Sequence, residues 1–373
     1  MKEERKKNKF LIITMGPGET VQGVGFSYYL LSKNEEVVLA TRLKTNYSFL
    51  KKTGFNFFLT ENSTKLRSLL KKKRPDVVVL CNSKIVSYYR DFSKILPVPR
   101  PLTVSLDSNW LFLKNEGWYD FPDWLDKYLI VFPKKIFNLG LKKYGGQYNI
   151  PDSIMKKIET VGFIPAYKKI PLKNRVNLRK RYKIGKEEKL IFSYFGGFGA
   201  GFRLWAFKKM VKATENLIRK GLKIKIFYTG PLRNLGSNIL KKSWLIKKRV
   251  LPENQFFSLL ASSNLVFQHQ GLGTLAQAIS SQIPAIANVR DLKDEPYPKH
   301  AHSWEISPFV KLNLCKMFYQ STPLKEIQKQ IEKLLYDSKE IKKMKAAQKK
   351  YCLPGESRAY KIITKLLKDK EKI

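Results

Sequence analysis

The chain has 373 residues, too many for one ordinary hydrophobic core and enough for two domains of about 150–200 residues each. Hydrophobic residues make up 43% and aromatic residues 13%, which excludes a disordered chain. A formal charge of +42 excludes a neutral surface, and three scattered cysteines (Cys81, Cys315, Cys352) exclude a disulfide framework and point to a reducing cytoplasm.

Phe10–Thr14 is a short continuous apolar run ending at Gly16-Pro-Gly18, the pattern of a buried parallel strand, a turn and a helix start. Glu19–Ser32 reads as that helix and Val37–Ala40 as the next strand. Lys65–Lys73 is helical in pattern and Pro75–Leu80 is another buried strand. Leu102–Leu106 and Tyr128–Phe132 repeat the theme. This alternation predicts a doubly wound parallel sheet in the N-terminal half. Ile158–Pro165 reads as its last strand, followed by a linker. Lys168–Lys189 is basic and rich in helix signals. Leu190–Phe195 then runs into Gly196-Gly-Phe-Gly-Ala-Gly201, again a buried strand and a glycine turn. Phe207–Arg219 reads as a helix, Lys223–Tyr228 and Leu265–Gln268 as strands, and Leu324–Leu335 and Ile341–Lys370 as helices. The two halves begin alike. The predicted fold is α/β, two Rossmann-like domains with parallel sheets facing a central cleft.

The basic clusters Lys71–Arg74, Lys134–Lys135, Arg179–Arg181, Lys247–Arg249 and Lys342–Lys350 form no single arm or tail. Two readings of the charge stand. Abundant Lys, Ile, Asn, Phe and Tyr with little Ala fit the codon bias of an AT-rich genome; attraction to the anionic leaflet of a membrane is the functional alternative, and nucleic acid is the less favoured one. No segment approaches the ~20 apolar residues that span a bilayer. Met1–Met15 lacks the length of a signal peptide, so a surface position is expected at any membrane the chain meets.

The most informative stretch is His269-Gln-Gly-Leu-Gly-Thr274, continuing Leu-Ala-Gln-Ala278 and reaching Pro284. A strand delivers the chain to a glycine-rich turn, and a helix is expected to start near Gly273–Thr274. Unsatisfied N–H groups at a helix start attract an anion such as a diphosphate. An ordinary tight turn with Thr274 as helix cap is the competing reading.

The stretch Phe256–Thr274 with Pro284 resembles the donor-binding signature of UDP-dependent glycosyltransferases of the GT-B fold: His269, Gly271, Thr274 and Pro284 fall in register. The likeness is to plant-type UDP-glycosyltransferases and to the bacterial transferase that adds N-acetylglucosamine to a peptidoglycan lipid precursor; it covers roughly Leu190–Leu335. The resemblance implies that His269 and the backbone of Gly271, Leu272, Gly273 and Thr274 hold the donor diphosphate. It implies that Val250 and Leu251 read the nucleotide base, and that Gly196, Gly197, Phe198 and Gly199 form a loop facing the phosphates. Asp294 and Glu295 fall where the family touches sugar hydroxyls, a task suited to carboxylates. Two departures stand out: Gln277 replaces the glutamate that binds the ribose, and Ser281-Gln-Ile-Pro284 replaces the usual Gly-x-Pro.

Many relatives place a histidine in the first glycine loop as catalytic base, but the only histidines here are His269, His300 and His302. In the loop Gly16-Pro-Gly-Glu-Thr-Val-Gln22, Glu19 is the one residue able to act as base, with Gly16, Gly18 and Thr20 on the acceptor side. The alternative is that Glu19 complements the helix dipole. Asp107 and Asp120 are further candidates. Trp110, Trp118, Tyr119, Phe121 and Trp124 are expected to line an acceptor pocket, meet a lipid interface or cover the core. His300 and His302 with Asp294 could suggest a metal site, but their spacing is unspecific and the resemblance to GT-B enzymes implies no metal or cofactor.

The implied organisation is an acceptor-binding domain over residues 1–165, a nucleotide-sugar-binding domain over 166–350, and a C-terminal helix over 351–373 packing back on the first domain. The implied function is an inverting, cytoplasmic glycosyltransferase. It would use a UDP-sugar and an envelope, lipid-linked or other hydroxyl acceptor, peripheral on the inner face of the membrane. A UDP-N-acetylglucosamine 2-epimerase-like isomerase and a non-catalytic polyanion-binding protein of the same fold are the rivals.

Overall fold

The computed structural model describes residues 7–51, 53–89, 91–108, 122–144, 150–165, 172–195, 201–232, 235–269, 271–294 and 302–371. The chain divides into two compact units, one of Met1–Ala166 with Leu353–Ile373, the other Tyr167–Cys352.

The first unit is built on β1 (Lys9–Thr14), β2 (Glu36–Thr41), β3 (Phe57–Leu59), β4 (Val77–Leu80), β5 (Leu102–Asp107), β6 (Lys127–Ile130) and β7 (Ile158–Thr160). All pair in parallel, in the order β3-β2-β1-β4-β5-β6-β7. The second carries β8 (Lys189–Tyr194), β9 (Ile224–Thr229), β10 (Leu245–Lys248), β11 (Leu265–His269), β12 (Ala285–Val289) and β13 (Lys316–Tyr319), also all parallel, in the order β10-β9-β8-β11-β12-β13. The longer helices in chain order are α1 (Pro17–Ser32), α2 (Ser63–Lys73), α3 (Lys134–Tyr144), α4 (Leu172–Arg181), α5 (Gly201–Arg219) and α6 (Glu253–Ser262). They continue with α7 (Leu272–Ser280), α8 (His302–Lys311), α9 (Leu324–Tyr336), α10 (Ser338–Tyr351) and α11 (Gly355–Lys370).

A strand's side chains alternate between its faces, and both faces of the first sheet are covered. Phe10 and Ile12 of β1 join Val24, Phe26 and Leu30 of α1 and Ala359, Tyr360 and Ile363 of α11 in one core. Leu11 and Ile13 join Leu66, Leu69 and Leu70 of α2 in the other. That two-sided burial is why these strands read as unbroken apolar runs. In the second unit Phe267, Ile286 and Phe318 pack with Phe207, Met210 and Val211 of α5 and Ile327 and Ile331 of α9.

The expected helix over Ile341–Lys370 is two helices, α10 and α11, because Pro354 cannot continue the first. α11 belongs to the first unit. Its start lies backbone against backbone on the chain after β7: Gly355 N donates to Phe163 O at 2.9 Å, and a Cβ on Gly355 would fall 2.2 Å from the Gly162 carbonyl oxygen. Further along, the Tyr360 hydroxyl donates to Glu35 Oε1 at 2.5 Å, and Glu35 Oε2 also accepts from Asn8 N at 2.7 Å.

Candidate functional site

In an open parallel sheet, ligands bind outside the carboxyl ends of the strands where the strand order reverses. In the second unit that point lies between β8 and β11. β8 delivers the chain to residues 196–200, so Gly196, Gly197, Phe198 and Gly199 lie outside the described residues. β11 delivers it to His269 and the start of α7.

α7 starts at Leu272, one residue before the Gly273–Thr274 the sequence suggests. Gly271 is its N-cap, extended at φ −67° and ψ 123°, and no side chain caps it. Thr274 is therefore the third helical residue and not the cap. The N–H groups of Leu272, Gly273 and Thr274 precede the first intrahelical donor, and together they carry the positive end of the helix dipole. Gly273 is exposed, while Leu272 and Thr274 are half-buried.

His269, the last residue of β11, shapes this turn. Its Nδ1 accepts the Gly271 N–H at 3.0 Å. In the neutral ring the proton is then on Nε2, which makes Nε2 a donor. The ring lies over Gly271, where a Cβ would meet its Cε1 at 2.6 Å. Glycine is needed here for the close approach, not for an unusual φ. From the adjacent position Gln268, fully buried, directs its Nε2 to the Gly271 carbonyl at 3.4 Å. Both polar groups of Gly271 are thus engaged by β11 side chains. In register with His269 on the neighbouring strand is Asn288, also fully buried, with Nδ2 3.5 Å from Phe318 O. Sequence reasoning missed Gln268 and Asn288. Their only signal is an amide inside an otherwise apolar strand.

The other expected donor residues sit on or near the same carboxyl edge. Val250 and Leu251 follow β10, three strand spacings or about 14 Å from β11; Val250 is 69% exposed and Leu251 half-buried. Asp294 ends the short helical turn Leu292–Asp294 after β12, and Glu295 lies outside the described residues. Gln277 is on the inner side of α7, only 2% exposed, with Nε2 3.5 Å from Ser281 Oγ. The structure therefore brings His269 and Gly271–Thr274 together and sets Gln277 apart from them, one helical turn further in.

The first sheet reverses between β1 and β4. α1 starts there with Gly16 as N-cap and Pro17 in its first turn. Thr20, fully buried, donates to Gly16 O at 2.8 Å and contacts Thr14 Oγ1 at 3.1 Å. Asn46 Nδ2 donates to Met15 O at 2.5 Å and Thr41 Oγ1 at 2.9 Å. The loop is thereby held from both sides, and Gly18 beside it is exposed. Glu19 folds back over the cap: a Cβ on Gly16 would meet its Oε2 at 2.3 Å. Asp107, 2% exposed at the end of β5, accepts the Ser105 hydroxyl at 2.5 Å. Cys81, just after β4, is fully buried. Burial pushes its thiol pKa well up, and the charges of Glu19 and Asp107 push in the same direction. Next to Cys81, Asn82 holds φ 100°, a region that favours glycine. Asp120, Trp110, Trp118, Tyr119 and Phe121 lie outside the described residues, while Trp124 stacks on Phe92 with ring centroids 5.4 Å apart.

No family model matches the chain and no curated protein matches it. Solved structures do. The glycotransferase of kitacinnamycin superposes with a TM-score of 0.63 at 12% identity, over 97% of this chain and 100% of that one. With two all-parallel sheets in two units, the deciding features are in place. The chain has the GT-B fold. A UDP co-structure of MnaA from S. aureus matches this GT-B chain with a TM-score of 0.65 at 13% identity, over 94% of each. A Listeria monocytogenes protein assigned as a UDP-N-acetylglucosamine 2-epimerase matches with 0.62 at 15%, over 95% of this chain and 94% of that one. At these identities the likeness is one of fold. Among the described residues of this GT-B chain no cluster of His, Cys, Asp and Glu is placed to hold a metal ion, and no helix is long and apolar enough to cross a membrane.

Proposed function

We propose that this GT-B chain is a glycosyltransferase that moves a sugar from a UDP-sugar to a hydroxyl acceptor. The observation that carries the reading is the start of α7, where three first-turn N–H groups and a histidine oriented by Gly271 face one edge of the sheet. Such a site suits the diphosphate of a nucleotide-sugar. In the single displacement that inverts the anomeric carbon, Glu19 takes the acceptor hydroxyl proton and the acceptor oxygen forms its bond to that carbon. The bond from the carbon to the diphosphate oxygen breaks, and the leaving charge is stabilised by the helix start and His269. That neutralisation lets the reading work without a metal. Val250 and Leu251 take the base, Asp294 and Glu295 take the sugar hydroxyls, and the 196–199 loop faces the phosphates. The edge of the first sheet, with Gly16, Gly18 and Thr20, takes the acceptor. The charge of +42 favours an acceptor presented at the anionic inner face of the cytoplasmic membrane, with the enzyme peripheral to it.

Thermal shift with UDP, GDP, ADP and TDP tests the donor. Selective stabilisation by UDP is expected, and equal responses to all four, or none, would overturn the nucleotide assignment. The fold likeness to a Listeria monocytogenes protein assigned as a UDP-N-acetylglucosamine 2-epimerase favours one second reading, an isomerase acting on the sugar nucleotide itself. Incubation with UDP-N-acetylglucosamine without acceptor separates the two: a new sugar-nucleotide isomer supports the isomerase, and slow release of UDP supports the transferase.

A further inference from the structure

A cation with no carboxylate partner among the described residues stands on the carboxyl edge of the first sheet. Arg42 follows β2 directly, and its N–H donates to Thr14 O at 3.2 Å, which places it beside the loop that leads to Glu19. The residue is half-buried and its guanidinium lies over the Tyr88 ring, 5.1 Å from the centroid. Its Nε is buried with no hydrogen-bond acceptor, and among the described residues no carboxylate pairs with it. The nearby carboxylate, Glu61, is engaged elsewhere, with Lys44 at 3.2 Å and Lys65 at 2.5 Å.

Arginine is rarely buried unless it is paired, and a buried donor without an acceptor costs stability. A planar guanidinium held on an aromatic face is, however, prepared for an oxyanion, because its N–H fork matches two oxygens of a phosphate or carboxylate. Resting on the transferase reading, we propose that Arg42, stacked on Tyr88, binds an oxyanion of the acceptor and makes this enzyme specific for an anionic acceptor carrying a phosphate or carboxylate group. The fork fixes the acceptor's orientation along the edge on which Glu19 stands, so Arg42 is a specificity-determining residue.

The probe is inorganic phosphate, titrated by thermal shift into the full chain saturated with UDP so that the helix start at Gly271 is already filled. Wild type is expected to gain stability with phosphate. The apparent affinity should fall about tenfold or more in Arg42→Gln, and less in Arg42→Lys, which keeps the charge but not the fork. Without phosphate, Arg42→Gln should melt within a few degrees of wild type, because only the stack on Tyr88 is lost and no hydrogen bond or ion pair of the side chain is broken. An unchanged phosphate response in Arg42→Gln, or no response in wild type, overturns the proposal. Vesicles of phosphatidylcholine with and without phosphatidic acid identify the source of the group. Arg42-dependent binding to the phosphatidic acid vesicles places the phosphate on a lipid, and a response to free phosphate alone places it on a soluble acceptor. Failure of UDP to stabilise the protein would sink the nucleotide-sugar reading instead; phosphate is then titrated into the His269→Ala, Thr274→Val variant, where the Arg42 dependence is read separately.

Discussion

Single atoms decide most of the candidate site. Gly271 is required because the His269 ring occupies the space of a side chain. Gly271→Ala should push the ring away and weaken UDP binding about tenfold, roughly 1.4 kcal/mol, in a calorimetric titration. The fold should survive that change, with a melting point close to wild type. Glu19 allows two readings that one substitution separates. As the base, Glu19→Gln lowers turnover on the order of 10²–10⁴-fold with UDP affinity unchanged. As a mere complement to the helix dipole it costs about 0.3–1 kcal/mol of stability and leaves turnover intact. At this scale the sequence was a partial guide. His269 and the glycines were visible because a polar, glycine-rich stretch interrupts an apolar strand. The helix start was misplaced because the extended backbone of Gly271 follows from its contact with His269, which no propensity encodes. Arg42 was hidden among 72 basic residues, and its stack on Tyr88 with a buried Nε lacking an acceptor sets it apart only in the structure.

At the scale of elements, most strands were legible, including the partly exposed β7 and β9, and the plainest were those buried on both faces. β1 and β4 are continuous apolar runs and β5, β8 and β11 are mostly apolar, and each was visible. β3 has three residues, β10 is Leu-Ile-Lys-Lys at the sheet edge, and β12 carries Asn288, so none of them stands out from its surroundings. The helical pattern over Ile341–Lys370 ran through Pro354, although a separate C-terminal helix was expected from residue 351. α11 rests on two contacts that can be tested by urea denaturation. Gly355→Ala forces a Cβ into the Gly162 carbonyl and should cost about 1–3 kcal/mol. Tyr360→Phe removes a hydrogen bond to the buried Glu35 carboxylate and should cost about 1.5–3 kcal/mol. A loss below 0.5 kcal/mol in both would mean that the apolar face of α11 alone holds it in place.

For the whole molecule, alternation of strand and helix made two parallel sheets readable, but the strand orders were not. They arise from which strands pair, and pairing leaves no local mark in the sequence. The order matters because it sets the two reversal points, β1/β4 and β8/β11, where the candidate residues gather. Buried acids that are neutral when protonated set the response of the whole fold to alkali. Burial pushes the Cys315 thiol up to about 12, and raises Cys81, Tyr128 and Tyr228 as well. The unfolded chain therefore loses these protons first. Stability from this source is fully present below about pH 9 and is lost as pH rises towards the folded values, by about 1.4 kcal/mol per pH unit for each thiol. Urea midpoints at pH 8 and pH 10 should show that fall, and Cys315→Ala should make it shallower.

The central claim is that the start of α7 and His269 hold a nucleotide diphosphate. Isothermal titration of UDP into the wild-type chain and into the His269→Ala, Thr274→Val double variant tests it most directly. The account predicts one site per chain in the wild type and at least a hundredfold weaker binding in the variant, about 2.7 kcal/mol, with the variant still folded by circular dichroism. Equal UDP affinity in the two proteins, or no binding to the wild type, would contradict it.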